Sequence, residues 1–475
     1  MSGVTLRGVE VGGRRVDVRL ADGRIAAIAP RLPHGGDEID GRGGALIPGL
    51  ADHHIHLFAL AAQRDSVTLD DVGSAYELQR RIAAATAARP AGAWVRATGY
   101  HERMAGELDA VGLDALAPRH PLRVQHQTGG LWVLNIAALA AVGADDGPAC
   151  VERSPDGRPT GRIWRGDAWL RERIGAEPPP LAPIGRQLSA YGITQLTDAS
   201  VTTDADAAAR LAGAQRAGDL PQRLTLMSGA SLTAPADGAF AVGPVKVLLD
   251  DHALIELDDF TGRIVGARRQ GRAVAVHCVT AGELALTLAA FESAGSRPGD
   301  RIEHGGVIPP AAISQIRTLG LTVVTQPAFV AERGDRYLAE VDPAEQADLY
   351  RCASLRAAGV PVAGSSDAPY ASPDPWTGIA AAVARQTAGG ATLGGGERVG
   401  AAEALAMYLG AADAAGGPSR RIEVGAPADL CLLKTPLADA LETLATDLVR
   451  ATLIAGRVVY AAADSGRAQI GLKSP

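Results

Sequence analysis

Lysine is almost absent from this 475-residue sequence: of 46 basic residues only Lys246, Lys434 and Lys473 are lysine, and the rest are arginine. A lysine that persists in an awkward place in such a chain needs a chemical reason. Paired cysteines are absent too. Cys150, Cys278, Cys352 and Cys431 stand far apart with no CxxC among them, which signals neither a disulfide framework nor a cysteine zinc site. No apolar run reaches membrane-spanning length. The opening Met1-Ser-Gly-Val-Thr-Leu-Arg-Gly lacks the basic end and apolar core of a signal peptide, so a cytoplasmic location is expected. Positive charge is not in excess: a net charge of −7 gives no electrostatic reason to expect nucleic acid or an anionic membrane as partner. What remains is a chain 47% hydrophobic and 21% charged, able to bury a large core. Length alone suggests two or three domains, although an α/β barrel can occupy most of such a chain by itself.

The two ends share one texture. Residues 5–11, 15–20 and 24–29 read as strands joined by the hairpin signals Gly12-Gly13 and Asp22-Gly23. Residues 428–433 and 451–460 are strand-like as well, with Gly456-Arg457 as the turn. One small β-sandwich built from both termini is the expectation. Between them, short apolar strands alternate with alanine- and leucine-rich helical stretches. They are read at 45–56, 193–199, 223–229, 245–250, 273–278, 301–304, 322–326 and 360–366. Eight strands alternating with helices predict an α/β fold, a (β/α)8 TIM-like barrel. The excursion from Leu57 to Pro180 is too long for a simple crossover and predicts a cap inserted after the first strand. It carries two strand-like pieces, 94–98 and 122–125. The expected domains are therefore 1–48 and 415–475 for the sandwich and 49–414 for the barrel, with 57–180 as the cap.

The stretch Leu46-Ile-Pro-Gly-Leu-Ala-Asp-His-His-Ile-His56 is the most informative. Strand alternation puts His54 and His56 on one side, and a barrel strand's C-terminal end is where such folds place their sites. Two imidazoles so held form a natural metal chelate; taken alone they could equally be surface histidines. His277 and His304 end two later strands, and Asp367 ends Pro-Val-Ala-Gly-Ser-Ser-Asp. Each alone has a bland reading as a satisfied histidine or a helix N-cap. Together, at successive strand ends, they describe one site. Lys246 lies in Gly-Pro-Val-Lys-Val-Leu-Leu-Asp, on a strand that should be buried, where an ammonium is costly and the neutral amine is favoured. A neutral amine can add carbon dioxide to give a carbamate that bridges two metal ions, which arginine cannot do. The alternative is a lysine paired with an acid such as Asp250.

This ordered set resembles the amidohydrolase superfamily, in detail the branch called amidohydrolase family 3. Supporting stretches are Val276-His277, Arg301-Ile-Glu-His304, Gln326-Pro327, Gly364-Ser-Ser-Asp-Ala-Pro369, Gly425-Ala-Pro-Ala-Asp-Leu430 and Ala451-Thr-Leu-Ile-Ala-Gly-Arg457. The resemblance implies two divalent metal ions, with zinc the expected metal. His54 and His56 would hold the more buried ion with Asp367, His277 and His304 would hold the second, and a carbamate on Lys246 would bridge them. It also implies hydrolysis of a C–N bond in a non-peptide amide or cyclic amide. There, water activated by metal attacks the carbonyl carbon while Asp367 serves as general base and then general acid.

The substrate side departs from that pattern. Gly130, in Thr128-Gly-Gly-Leu-Trp-Val-Leu-Asn135, stands where a histidine is usual; Cys278-Val-Thr-Ala281 replaces Ala-Ile-Gly-Asp; and Asp250-Asp251-His252 replaces Asp-Gly. Trp132, His126, His252, Phe329 and Tyr370 are candidate pocket residues, each with a structural or rim reading beside it. The expected partners are a small-molecule substrate and a second copy of the chain in a homodimer. Two rivals stand beside the hydrolase. One is a mononuclear deaminase of a ring, using His54, His56, His277 and Asp367. The other is a catalytically inactive barrel kept as an oligomeric binding protein, which ligand loss would betray and six filled positions disfavour.

Overall fold

The computed structural model describes residues 3–70, 72–175, 178–229, 231–250 and 254–463. Asp251 and His252, expected near the site, lie outside the described residues. The chain divides into two compact units, one of Met1–Leu57 with Leu181–Pro475 and the other of Phe58–Pro180.

The larger unit holds an eight-stranded parallel barrel. Its strands are β1 (Leu50–Ile55), β2 (Ile193–Asp198), β3 (Arg223–Ser228), β4 (Ala241–Val247), β5 (Val274–Cys278), β6 (Arg301–His304), β7 (Thr322–Thr325) and β8 (Val362–Gly364). Each pairs with the next in chain order. Short apolar runs such as Val-Ala-Val in β5 and Thr-Val-Val in β7 have the composition of parallel strands covered by helices on the outside. The ring closes between the second half of β1 with His56 and the residues just past β8. Asp367 N–H donates to His54 O at 2.8 Å, His56 N–H to Ala368 O at 2.9 Å, and Ser366 N–H to the Asp52 carboxylate at 3.1 Å. This seam sets the end of β1 against the loop after β8.

Two strand boundaries differ from the sequence reading. The single strand expected over 45–56 is broken at Gly49. Leu46–Pro48 pairs antiparallel with Leu430–Leu433, and only Leu50–Ile55 enters the barrel. A Cβ on Gly49 would lie 2.1 Å from Thr194 Cγ2, so the chain can cross from sandwich to barrel here only as glycine. The strand expected at 245–250 instead spans Ala241–Val247, which leaves Lys246 next to its end. Among the described residues no helix separates β3 from β4. Elsewhere helices follow as expected. Cys278-Val-Thr-Ala281, one of the departures, is a helix start: Thr280 and Glu283 form a capping box opening Ala281–Ala294.

The terminal segments of the same unit form two four-stranded sheets. The first contains Val4–Val11, Arg14–Ala21, Arg24–Ala29 and Asp37–Asp40; the second contains Leu46–Pro48, Leu430–Leu433, Val449–Ile454 and Arg457–Ala461. Leu6, Val18 and Ile25 from one pack against Leu430, Leu432 and Leu453 from the other. The last hairpin turns at Ala455-Gly456, both with positive φ, one residue before the expected turn.

Phe58–Pro180 builds a six-stranded sheet ordered Val151–Arg153, Pro159–Trp164, Leu131–Leu134, Leu122–His126, Val95–Tyr100, Val67–Thr68. Alternation along Leu131–Leu134 sends Leu131 and Val133 into one core and Trp132 and Leu134 into another. Among the described residues no helix is long and apolar enough to cross a membrane.

Candidate metal centre

Alternation along β1 turns His54 toward Glu303 and Asp367 while His53 and Ile55 point the other way. His56 follows the strand and is partly buried. The Nε2 atoms of His54 and His56 converge on one carboxylate oxygen, Asp367 Oδ1, at 3.4 and 3.2 Å. Ligand atoms of these three residues lie within 4.8 Å of one another. His304 Nδ1 is 3.9 Å from Asp367 Oδ2, and its ring centroid lies 4.8 Å from that of His54 and 4.6 Å from that of His277. Lys246, on β4, is buried, and its Nζ has no hydrogen-bond partner among the described residues. The pairing with Asp250 that would have made it an ordinary structural cation is not formed. Glu303 and Asp367 are the acids that attract it most strongly. Four strand ends, those of β1, β4, β5 and β6, and the loop after β8 thus bring all six sequence-predicted residues together.

Burial decides the protonation states. It pushes the Lys246 ammonium below its ordinary value against the pull of Glu303 and Asp367. Burial and the neighbouring Lys246 lower His54 to about 3, and burial likewise lowers His277 and His304. Three imidazoles are therefore neutral at neutral pH, as metal ligation requires. Burial would raise Asp367, but His54, His56 and His304 outweigh it and hold the carboxyl well below the usual range.

The orientation of these ligands comes from residues to which the sequence reading gave no role. His54 Nδ1 is tied to Glu303 Oε2 by a very short contact, and Arg301 Nε–H donates to Glu303 Oε1. Arg301 Nη2 also donates to His53 O at 2.8 Å. A carboxylate on Nδ1 fixes the tautomer and leaves Nε2 as the lone-pair nitrogen, the arrangement typical of metal-bound histidine. His56 Nδ1 lies 3.0 Å from Ser200 Oγ, and His304 Nδ1 lies 2.9 Å from Gln326 Oε1. Glu303 was visible in Arg301-Ile-Glu-His304 as an acid on a buried strand, which is the one signal that could have flagged it.

Two of the six residues have strained backbones. His304 has φ 69° and Asp367 φ 55°, in the left-handed region that non-glycine residues enter at a cost of about 1–3 kcal/mol. Arg301 and Glu303 share one face of β6, so simple alternation would turn His304 away from it. The positive φ re-aims the imidazole toward Asp367.

The candidate pocket residues are more scattered. Tyr370 sits edge-on to His56, ring centroids 5.8 Å apart. Phe329 is buried on the helix after β7, under the Arg333 guanidinium at 4.5 Å and against Tyr350 at 5.5 Å. Trp132 and His126 belong to the inserted unit. Trp132 is buried in its core, between Arg96 and Arg123, with its indole N–H on Asp167 Oδ1 at 2.8 Å. His126 lies 3.1 Å from Glu102 Oε2 and 2.8 Å from Thr128 Oγ1. Within that unit nothing forces glycine at 130, since a Cβ there would meet only Thr128 Oγ1, at 3.9 Å.

Comparison with known proteins places this geometry in context. Residues 37–460 match the amidohydrolase family. The N-substituted formamide deformylase of Arthrobacter pascens is 26% identical, the match covering 88% of this chain and 89% of that one. An uncharacterized metal-dependent hydrolase from Pyrococcus horikoshii superposes with a TM-score of 0.69 at 19% identity, over 90% of this chain and 96% of that one. The guanine deaminase of C. acetobutylicum shares the fold with a TM-score of 0.53 at 12% identity, over 96% and 100%.

Proposed function

Because the chain belongs to the amidohydrolase family, and so to the hydrolases of carbon–nitrogen bonds, we propose that it cleaves a non-peptide amide or cyclic amide at a two-metal centre. The observation that carries this reading is the convergence of the His54 and His56 Nε2 atoms on Asp367 Oδ1, a buried carboxylate oxygen with no hydrogen-bond partner among the described residues. A second orphan among the described residues is Lys246 Nζ, on which Asp367 acts electrostatically. Buried anionic and amine groups left without donors or acceptors are costly in an empty site. The donor set fits divalent cations of borderline character, zinc first. His54, His56 and Asp367 would hold one ion, His277 and His304 the other, and Lys246 as a carbamate would bridge them. Metal ions in such a site supply Lewis acidity, lowering the pKa of water and polarising a carbonyl.

The protein's own groups do the rest. Asp367, ionised at neutral pH and lodged among the imidazoles, takes the proton from water as oxygen adds to the carbonyl carbon. It then passes that proton to the nitrogen as the C–N bond breaks, so one carboxyl serves both halves of the reaction. Glu303 keeps His54 in the ligating tautomer, and Ser200 and Gln326 orient His56 and His304. The relative from Arthrobacter pascens is named for N-substituted formamides, which are open-chain amides, and on that likeness an open-chain amide is the substrate placed first here.

The test is a panel of N-formyl and N-acetyl amines, cyclic amides and aminated purines and pyrimidines, scored separately for amine and ammonia release by zinc-loaded protein. Amine or ring-opened acid supports the reading. Ammonia from the ring compounds alone transfers the protein to the mononuclear deaminases, and no turnover on any member contradicts catalysis of this class.

A further inference from the structure

The helix Ala328–Glu340 rises from the C-terminal end of β7, on the side of the barrel where the metal centre lies. Its second turn carries Arg333, a partly buried cation in no ion pair among the described residues. The acids beside it are engaged elsewhere: Glu332 accepts the Ser372 N–H, while Asp335 accepts from Thr387 Oγ1 and Gly389 N. Among the described residues two contacts hold Arg333. Its guanidinium lies 4.5 Å over the Phe329 ring, and Nη2 donates to the Tyr370 carbonyl. Tyr370 in turn stands edge-on to His56, and its N–H donates to Asp367 O at 2.9 Å. One residue, Tyr370, therefore separates this cation from two members of the metal site.

A clamp on a carbonyl needs one N–H donor, and a guanidinium has five in a rigid fork. Its place 4.5 Å over the Phe329 ring restrains that fork in advance, so less rotamer entropy is lost when a planar anion docks. We infer that Arg333 is a specificity residue that binds a free carboxylate on the substrate amide. The inference rests on the amide-hydrolase reading above and narrows its substrate class: an amide whose amine half or acyl half bears a carboxylate. Both halves present the same chemistry to Arg333, and the two sources are separated by experiment.

The probes are paired. N-acetylalanine against its methyl ester places the charge on the amine half; N-methylsuccinamic acid against its methyl ester places it on the acyl half. Binding is read by calorimetry and cleavage as kcat/KM of zinc-loaded protein. The wild type should favour the acid of at least one pair by about 10–100-fold, the range of a charge-assisted hydrogen-bonded pair. In Arg333→Met that ratio should fall to near one, with Arg333→Lys intermediate because it keeps charge without the fork. Equal handling of acid and ester by the wild type overturns the inference. So does an Arg333→Met variant that keeps the ratio, or one that weakens acid and ester alike, since both leave Arg333 a clamp for Tyr370. Arg333-dependent binding of the acids without cleavage of any amide would uphold Arg333 and sink the hydrolase reading instead.

Discussion

Replacing Glu303 by glutamine changes one oxygen to nitrogen in a fully buried position and should strip the protein of much of its metal affinity. The carboxylate accepts from Arg301 Nε at one oxygen and faces His54 Nδ1 with the other. Burial alone would raise its pKa, but Arg301, Lys246 and His54 hold it well below the usual carboxylate range, so it is an anion in the folded protein. Glutamine offers a single acceptor. If its oxygen stays on Arg301, the amide NH2 confronts His54 Nδ1, which must then accept and pass its proton to Nε2, the nitrogen needed for the metal. If the oxygen turns to His54, Arg301 Nε meets another donor, and a guanidinium only 4% exposed loses its counter-charge. Loss of such a carboxylate–histidine support commonly costs 10–100-fold in metal affinity, which is about 1.4–2.7 kcal/mol. An uncompensated buried charge costs about 3–5 kcal/mol of stability, and the remaining hydrogen bond should keep the loss at the lower end. Chelator competition measures the first effect and thermal melting of the metal-free protein the second. A variant that binds zinc within threefold of wild type would refute the tautomer reasoning, even if it melted early.

Three further outcomes follow from the same site and its surroundings. Asp367→Asn should keep the fold and much of the metal yet lose about 10²–10⁴ in kcat on an amide substrate, because an amide cannot carry the proton; near-normal kcat would remove Asp367 from that role. Lys246→Arg should lose metal despite conserving charge, since a guanidinium would stand where two cations belong, whereas Lys246→Ala should regain metal and activity on addition of a short carboxylic acid; an active, metal-replete arginine variant would contradict the carbamate. Gly364→Ala, at the end of β8, would put a Cβ 2.4 Å from the ring of the buried Tyr408 and should cost about 1–3 kcal/mol as overpacking, checked by the melting midpoint of the metal-free protein, where no change would mean the ring yields freely.

Much of this architecture was legible before any coordinates, for a physical reason. A parallel barrel strand is covered on its outer face and packed on its inner one, so it reads as a short apolar run, and a polar residue at its tip stands out. His277 and Asp367 were visible in that way. Lys246 was visible because lysine is otherwise so scarce. The break at Gly49 was hidden because Leu46–Pro48 and Leu50–Ile55 are both apolar and extended, and only the approach of Thr194 shows that the chain changes sheets between them. Four of the six strands of the inserted unit were missed: they are as short as two residues, and one contains Gly161. The least legible part was the support of the ligands. Glu303 meets His54 from 249 positions away, a distance over which no local periodicity speaks.

The account stands or falls most directly on the metal content of the purified protein. Elemental analysis of protein prepared without chelator, and again after stripping and reloading with zinc, should give two divalent ions per chain. It should fall to one or fewer in Lys246→Ala unless a short carboxylic acid is supplied. A single ion per chain, or none, that does not rise on reloading would contradict a two-metal centre held by His54, His56, Lys246, His277, His304 and Asp367.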